Sequence, residues 1–128
     1  MSLTVPPDLL EKAQQGPVSD EEFIACIRDS LPFAWSVVAE LAERLAAGEG
    51  PFADNQKEPP DERSRGQLLR LVGSDAMRGA VERHFNVRLA FQNCHRLALF
   101  DPAAGPAYDE FVSPRAQLLN QSPELVNC

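Results

Sequence analysis

The chain is poor in the residues that most metal and redox chemistry needs. Among 128 residues there are three cysteines and two histidines. Cys26, Cys94 and Cys128 form no C-x-x-C pair, and no H-E-x-x-H occurs, so the common zinc signatures are missing. An odd cysteine count without paired spacing argues against a disulfide framework and for a reducing, cytoplasmic setting. Gly66, Gly73 and Gly79 lack the spacing of a nucleotide-binding loop. No apolar run approaches the roughly 20 residues of a membrane span. The opening MSLTVPPDLLEK lacks the basic stretch and apolar core of a secretory leader. There is no internal repeat. Carboxylates are plentiful, but they fall at caps and on helix surfaces, so no acid–base pair stands out.

What the chain does have is one domain's worth of residues, 44% of them hydrophobic, enough for a single core over residues 1–128. Its net charge of −7 is unevenly spread. Residues 1–62 carry thirteen acids and four bases, whereas residues 63–100 carry two acids and seven arginines. The acidic half can neutralise the basic segment internally, or the basic segment can stay open to an anion. Ten of the twelve bases are arginine, which suits two-point recognition of a carboxylate or phosphate but also follows from a GC-rich codon bias.

Periodicity and punctuation predict helices over much of the chain. A short one should span Pro6 to Gln15 and stop at Gly16-Pro17. Ser19 with Glu22 reads as a capping box for a helix from Asp20 to about Ser30, with Val18 stapling onto Phe23 and Cys26 near the apolar face. After Pro32, the repeat Phe33, Val37, Leu41, Leu45, flanked by Ala34, Val38 and Ala42, marks a longer amphipathic helix with a wide apolar stripe, closed by Gly48, with Trp35 at the stripe edge. Residues 48–60 read as a loop pinned by Phe52. Its Asp54, Asn55 and Gln56 suit turns better than a cation site. Asp61 should open a helix to about Val72, in which Gly66 is costly unless close packing demands it. Ser74 should cap another from Asp75 to Phe85, the two meeting in helix-turn-helix outline. Near residues 87–100 the apolar alternation favours a two-stranded hairpin turning at Asn93-Cys94, with a continuing helix as the alternative. Asp101 to Ala107 reads as a Pro/Gly loop, Ser113-Pro114 as the start of a short last helix, Ser122-Pro123 as a further turn, and residues 121–128 as a tail. The expected fold is therefore mainly α (α+β): a compact domain of about five to six helices with one hairpin, or else all-α.

The segments FADNQ, PPDERSRGQLLR, RLAFQNCHR and RAQLLNQSPEL resemble a small acidic actinobacterial protein family without an assigned activity. The resemblance implies a bacterial cytosolic protein and brings no catalytic residues with it.

Three functional readings follow from the residues. The first is a non-catalytic regulatory or interaction protein. It would bind an acidic protein partner or an anionic small molecule through Arg63, Arg65, Arg70, Arg78, Arg88 and Arg96, the first four being most accessible. The second is a small enzyme or thiol sensor built on Cys94 and His95, where nearby arginines would favour a thiolate. Adjacent residues on a strand point to opposite faces, which weakens that pair. His84, Cys94 and His95 could converge on zinc only if the hairpin folds back, and His84 otherwise reads as a core histidine. The third is a DNA-binding regulator, opposed by the acidic balance and by Asp75, Ala76 and Met77 at the start of the second helix of the pair. No cofactor is expected.

Overall fold

The computed structural model describes residues 3–55 and 57–121. Its elements are α1 (Pro7–Gln15), α2 (Asp20–Ser30), α3 (Pro32–Ala46), β1 (Phe52–Asp54), α4 (Glu62–Val72), α5 (Asp75–Phe85), β2 (Arg88–Gln92), β3 (Arg96–Phe100), α6 (Gly105–Phe111) and α7 (Pro114–Leu119). The protein is mainly helical with a small antiparallel sheet in the order β1-β3-β2.

The helix starts are local chemistry. Ser19 accepts from the Glu22 amide at 3.1 Å and Glu22 reaches back to the Ser19 amide at 3.3 Å, the reciprocal box that satisfies two orphan donors. Asp61, Ser74 and Ser113 each accept from the amide three residues on. The α3 helix starts without a local cap, because Leu31 occupies that position. Gln67 of α4 supplies the missing acceptor: its Oε1 receives the amides of Phe33 at 2.7 Å and Ala34 at 3.2 Å. Asn86 ends α5 in the left-handed region at φ 53, a conformation asparagine tolerates.

The main core joins α2, α3, α4 and α5 to one face of the sheet. Ile24, Ile27, Ala34, Val38, Leu41, Leu68, Leu71, Met77, Ala80 and Val81 meet Leu89, Leu97 and Leu99 there. The buried seam of α3 is Ala34, Val38 and Leu41, inside the wide stripe expected from the sequence, and Phe33, Val37, Ala42 and Leu45 are partly buried at its margins. Trp35 is partly buried against Phe85, ring centroids 5.4 Å apart.

The sheet is covered on both faces, and this stabilises a hairpin that would be marginal alone. Register pairs Leu89 with Leu99 and Phe91 with Leu97 toward the helices. On the other face Ala90, Ala98 and Phe100 form a second cluster with Phe111 of α6. Phe52 stacks on Phe100 at 4.8 Å. The central strand β3 is thus apolar on both sides, Leu97 to Phe100 all being buried.

Two segments expected to be irregular are ordered. Within the 48–60 loop, Phe52–Asp54 pairs with β3 because Phe52 and Ala53 each complete one face of the sheet. Within and just after the 101–107 loop, α6 forms because Pro106 serves as a first-turn residue and Tyr108 and Phe111 anchor against Phe100. The described residues therefore hold seven helices and three strands rather than five to six helices and two strands. A side chain added at Gly66 would meet nothing within 4 Å, so no close approach requires that glycine. Gln56, the turn at Ser122-Pro123 and Cys128 lie outside the described residues.

Candidate binding groove

Among the described residues, six of the arginines are paired with carboxylates. Arg28 meets Asp29, Arg44 meets Glu49, Arg78 meets Asp75, Arg83 meets Asp20, Arg96 meets Asp54 and Arg115 meets Glu110. Asp20 receives Arg83 through two hydrogen bonds of 2.7 and 3.0 Å. That bond holds the Asp20 carboxyl below its ordinary range and raises Arg83. Internal neutralisation by the acidic first half is therefore real for Arg83 and Arg96. Among the described residues, Arg63, Arg65, Arg70 and Arg88 have no such partner, and all four lie in the basic segment.

The four do not form one face. Arg63 and Arg70 are exposed and seven residues apart on α4, hence on nearly the same side of the helix. Arg65 lies across the buried seam of α4, is half-buried, and its Nε is buried with no hydrogen-bond partner among the described residues. Arg78 is less available than expected: it donates to the Val72 carbonyl at the end of α4 at 3.0 Å and to Asp75 at 2.7 Å. Arg96 is further withdrawn. Its Nε lies 2.6 Å from the buried Asp54 carboxylate, and its guanidinium stands 5.0 Å over the Phe111 ring.

Arg88 and Arg78 come together in a groove of about 450 Å³ between α5, β2 and α6, lined also by Glu82, Tyr108, Phe91 and Val112. Arg88 lies 3.5 Å over the Tyr108 ring, whose other neighbour is the edge-on Phe100. Glu82 closes one side by accepting from the Leu89 amide at 2.9 Å, which ties β2 back to α5. Strand order leaves β2 at the sheet edge facing this groove. The part played by Tyr108 and Glu82 was not legible in the sequence, since neither sits in the arginine pattern and α6 was not foreseen.

Cys94 is disulfide-bonded rather than a free thiol, and Cys26 is the free cysteine of the described residues, buried with its Sγ 3.6 Å from the Thr4 carbonyl. His95 is buried with Nδ1 3.0 Å from the Asn93 carbonyl, so the imidazole is engaged by its own turn. His84 is exposed, leaning on Phe85 at 4.7 Å and Trp35 at 5.6 Å, which corrects its expected place in the core: its face of the last α5 turn meets aromatic rings instead of the core. Among the described residues no three histidine, cysteine or acidic side chains form a group that could hold a metal, so His84, Cys94 and His95 do not converge. Asp54 and Asn55 are occupied by the sheet. Asn55 bridges β3 through the Leu97 amide at 2.6 Å and the His95 carbonyl at 2.6 Å.

A family model described as NucS shadow ORF matches residues 1–128. The chain belongs to the NucS shadow ORF family. No curated protein and no solved structure matches. The family description names no activity, so the arginine arrangement of this NucS shadow ORF member is read on its own chemistry. Among the described residues, no helix is long and apolar enough to cross a membrane.

Proposed function

We propose that the chain is a non-catalytic interaction protein that binds an acidic partner through the arginines left without internal partners. The observation that carries this reading is their placement. Every arginine lacking a carboxylate partner among the described residues lies between Arg63 and Arg88, in a chain of net charge −7. A chain so rich in acids has carboxylates to spare, so leaving Arg63, Arg70 and Arg88 open favours an external anion. The resemblance to a small acidic actinobacterial family would put such an activity in a bacterial cytoplasm, and a cysteine pattern without paired spacing supports that reading. The disulfide at Cys94 sits uneasily with that compartment. Labelling free thiols in intact cells before lysis decides it: protection of Cys94 points to an oxidising compartment.

Charge reversal tests the binding. Wild-type chain immobilised in extract of its own host should retain an acidic protein, and Arg63→Glu with Arg70→Glu should release it. Both residues are exposed on one side of α4, so the fold should survive. Equal retention of the same protein by the variant would sink the proposal.

The family description favours a second reading. A reading frame in the shadow of another gene inherits its residue usage from that gene's codons, so the arginines need no binding role. Agreement among caps, turn residues and core favours selection on the protein instead. Host extracts searched for the tryptic peptide Leu71 to Arg78 discriminate the two. Its absence, at a depth where proteins of similar size are detected, supports the second reading.

A further inference from the structure

The geometry points to the groove between α5, β2 and α6 as a site for a single carboxylate, held by Arg88 against Tyr108. We draw this inference on top of the acidic-partner reading, and it narrows that reading to one cluster. Two features support it. First, the Arg88 guanidinium is held 3.5 Å over the Tyr108 ring, which fixes a rotamer-rich side chain and leaves the guanidinium edge for two parallel hydrogen bonds. Second, Tyr108 lines the same groove with no hydrogen bond to its phenol among the described residues, so it can serve as a further donor.

The charge set chooses among anions. Arg78 already pairs with Asp75, and Glu82 brings a carboxylate into the groove while bonding to the Leu89 amide. One negative charge can be met by Arg88. A second would be placed near Glu82 with no open cation to offset it, so a phosphate dianion is disfavoured. The carboxylate can belong to an acidic side chain of a partner or to a small free acid.

The test is titration of the full chain with three probes: propionate, a capped hexaglutamate peptide and inorganic phosphate. The readout is the NMR shift of the Arg88 Nε–H and of the Leu89 to Phe91 amides. Carboxylate probes should move these signals. Arg88→Gln should abolish the response, and Arg88→Lys should weaken it about tenfold or more because a point charge cannot make the two-point contact. Tyr108→Leu keeps apolar cover over Phe100 and should weaken it by releasing the guanidinium. Saturation by propionate assigns a free acid, and saturation by the peptide alone assigns a partner's side chain. Phosphate binding as tightly as either carboxylate overturns the inference. So does peptide binding that moves the signals of Arg63 and Arg70 while Arg88 stays still, an outcome that leaves the broader acidic-partner reading standing. No binding of the peptide anywhere on the chain removes both.

Discussion

The Asp54 carboxylate lies 2.6 Å from Arg96 Nε, with 8% of the Asp54 side chain and 25% of the Arg96 side chain exposed. The pair joins β1 to β3 on the face that α6 covers, beside the Phe111 ring. Removing one member of such a pair leaves a charge largely out of water, a far larger effect than the pair's net worth. Arg96→Met should therefore cost about 3 kcal/mol in urea unfolding. Adding Asp54→Asn to that variant should recover part of the loss. A double variant no better than Arg96→Met alone would show that the charge of Asp54 is not what penalises the single change.

Gln67 should prove a structural residue despite its polarity. Its Oε1 accepts both free amides at the start of α3, where Leu31 offers no side-chain cap. Gln67→Leu fits the surrounding core in volume yet leaves the amides of Phe33 and Ala34 without an acceptor, a loss of about 1–3 kcal/mol. Gln67→Glu should retain the acceptor. Near-wild-type stability of Gln67→Leu would mean that water or a shifted helix start satisfies these groups.

These two contacts show where sequence reading succeeds and where it stops. Ser19 with Glu22, Asp61, Ser74 and Ser113 cap helices within three residues of themselves, so their spacing is visible in the chain. Gln67 caps a helix 34 residues away, and no local pattern announces that. The hairpin was legible from the alternation of Leu89, Phe91, Leu97 and Leu99, but its third strand was not. Phe52 and Ala53 become a strand only because β3 has an open edge for them. Likewise α6 hides among Pro and Gly residues until Phe100 supplies the surface that Tyr108 and Phe111 cover. The paired and open arginines could not be sorted in advance, since Arg83 and Asp20 are 63 positions apart.

Gly66→Ala should stabilise the protein. The residue lies inside α4, where glycine costs about 1 kcal/mol relative to alanine. A β-carbon there meets nothing within 4 Å, so no steric term offsets the gain. Thermal unfolding should rise by several degrees, about 4 °C for a domain of this size. A drop in midpoint would point to a partner or segment that approaches the helix at this glycine.

Asn86 should tolerate glycine and resist valine. It closes α5 at φ 53, ψ 55 and hands the chain to Val87 and the edge strand β2. A β-branched side chain in this conformation costs about 1–2 kcal/mol. Urea unfolding should separate the two variants, and Asn86→Gly should lie within about 0.5 kcal/mol of the parent.

Acid should unfold the protein through a small set of carboxylates. The Arg83 hydrogen bond lowers Asp20, the Lys12 hydrogen bond and then the Ser19 contacts lower Glu22, and the Ser64 amide lowers Asp61. Each is more acidic folded than unfolded, so the folded state binds fewer protons at these sites. Their stabilisation is complete above the unfolded values of about 4 and fades as pH falls through the folded ones. Lys12 and Arg83 are raised by the same contacts, so their share persists through neutral pH and is lost only in strong alkali. Stability should therefore be flat in these terms from about pH 6 to 9 and decline below about pH 4. Asp20→Asn should lower the neutral plateau and make the acid decline shallower, because one of the protons driving it has gone. Thermal midpoints between pH 2 and 8 for both proteins measure this, and parallel acid limbs would show that Asp20 does not contribute to it.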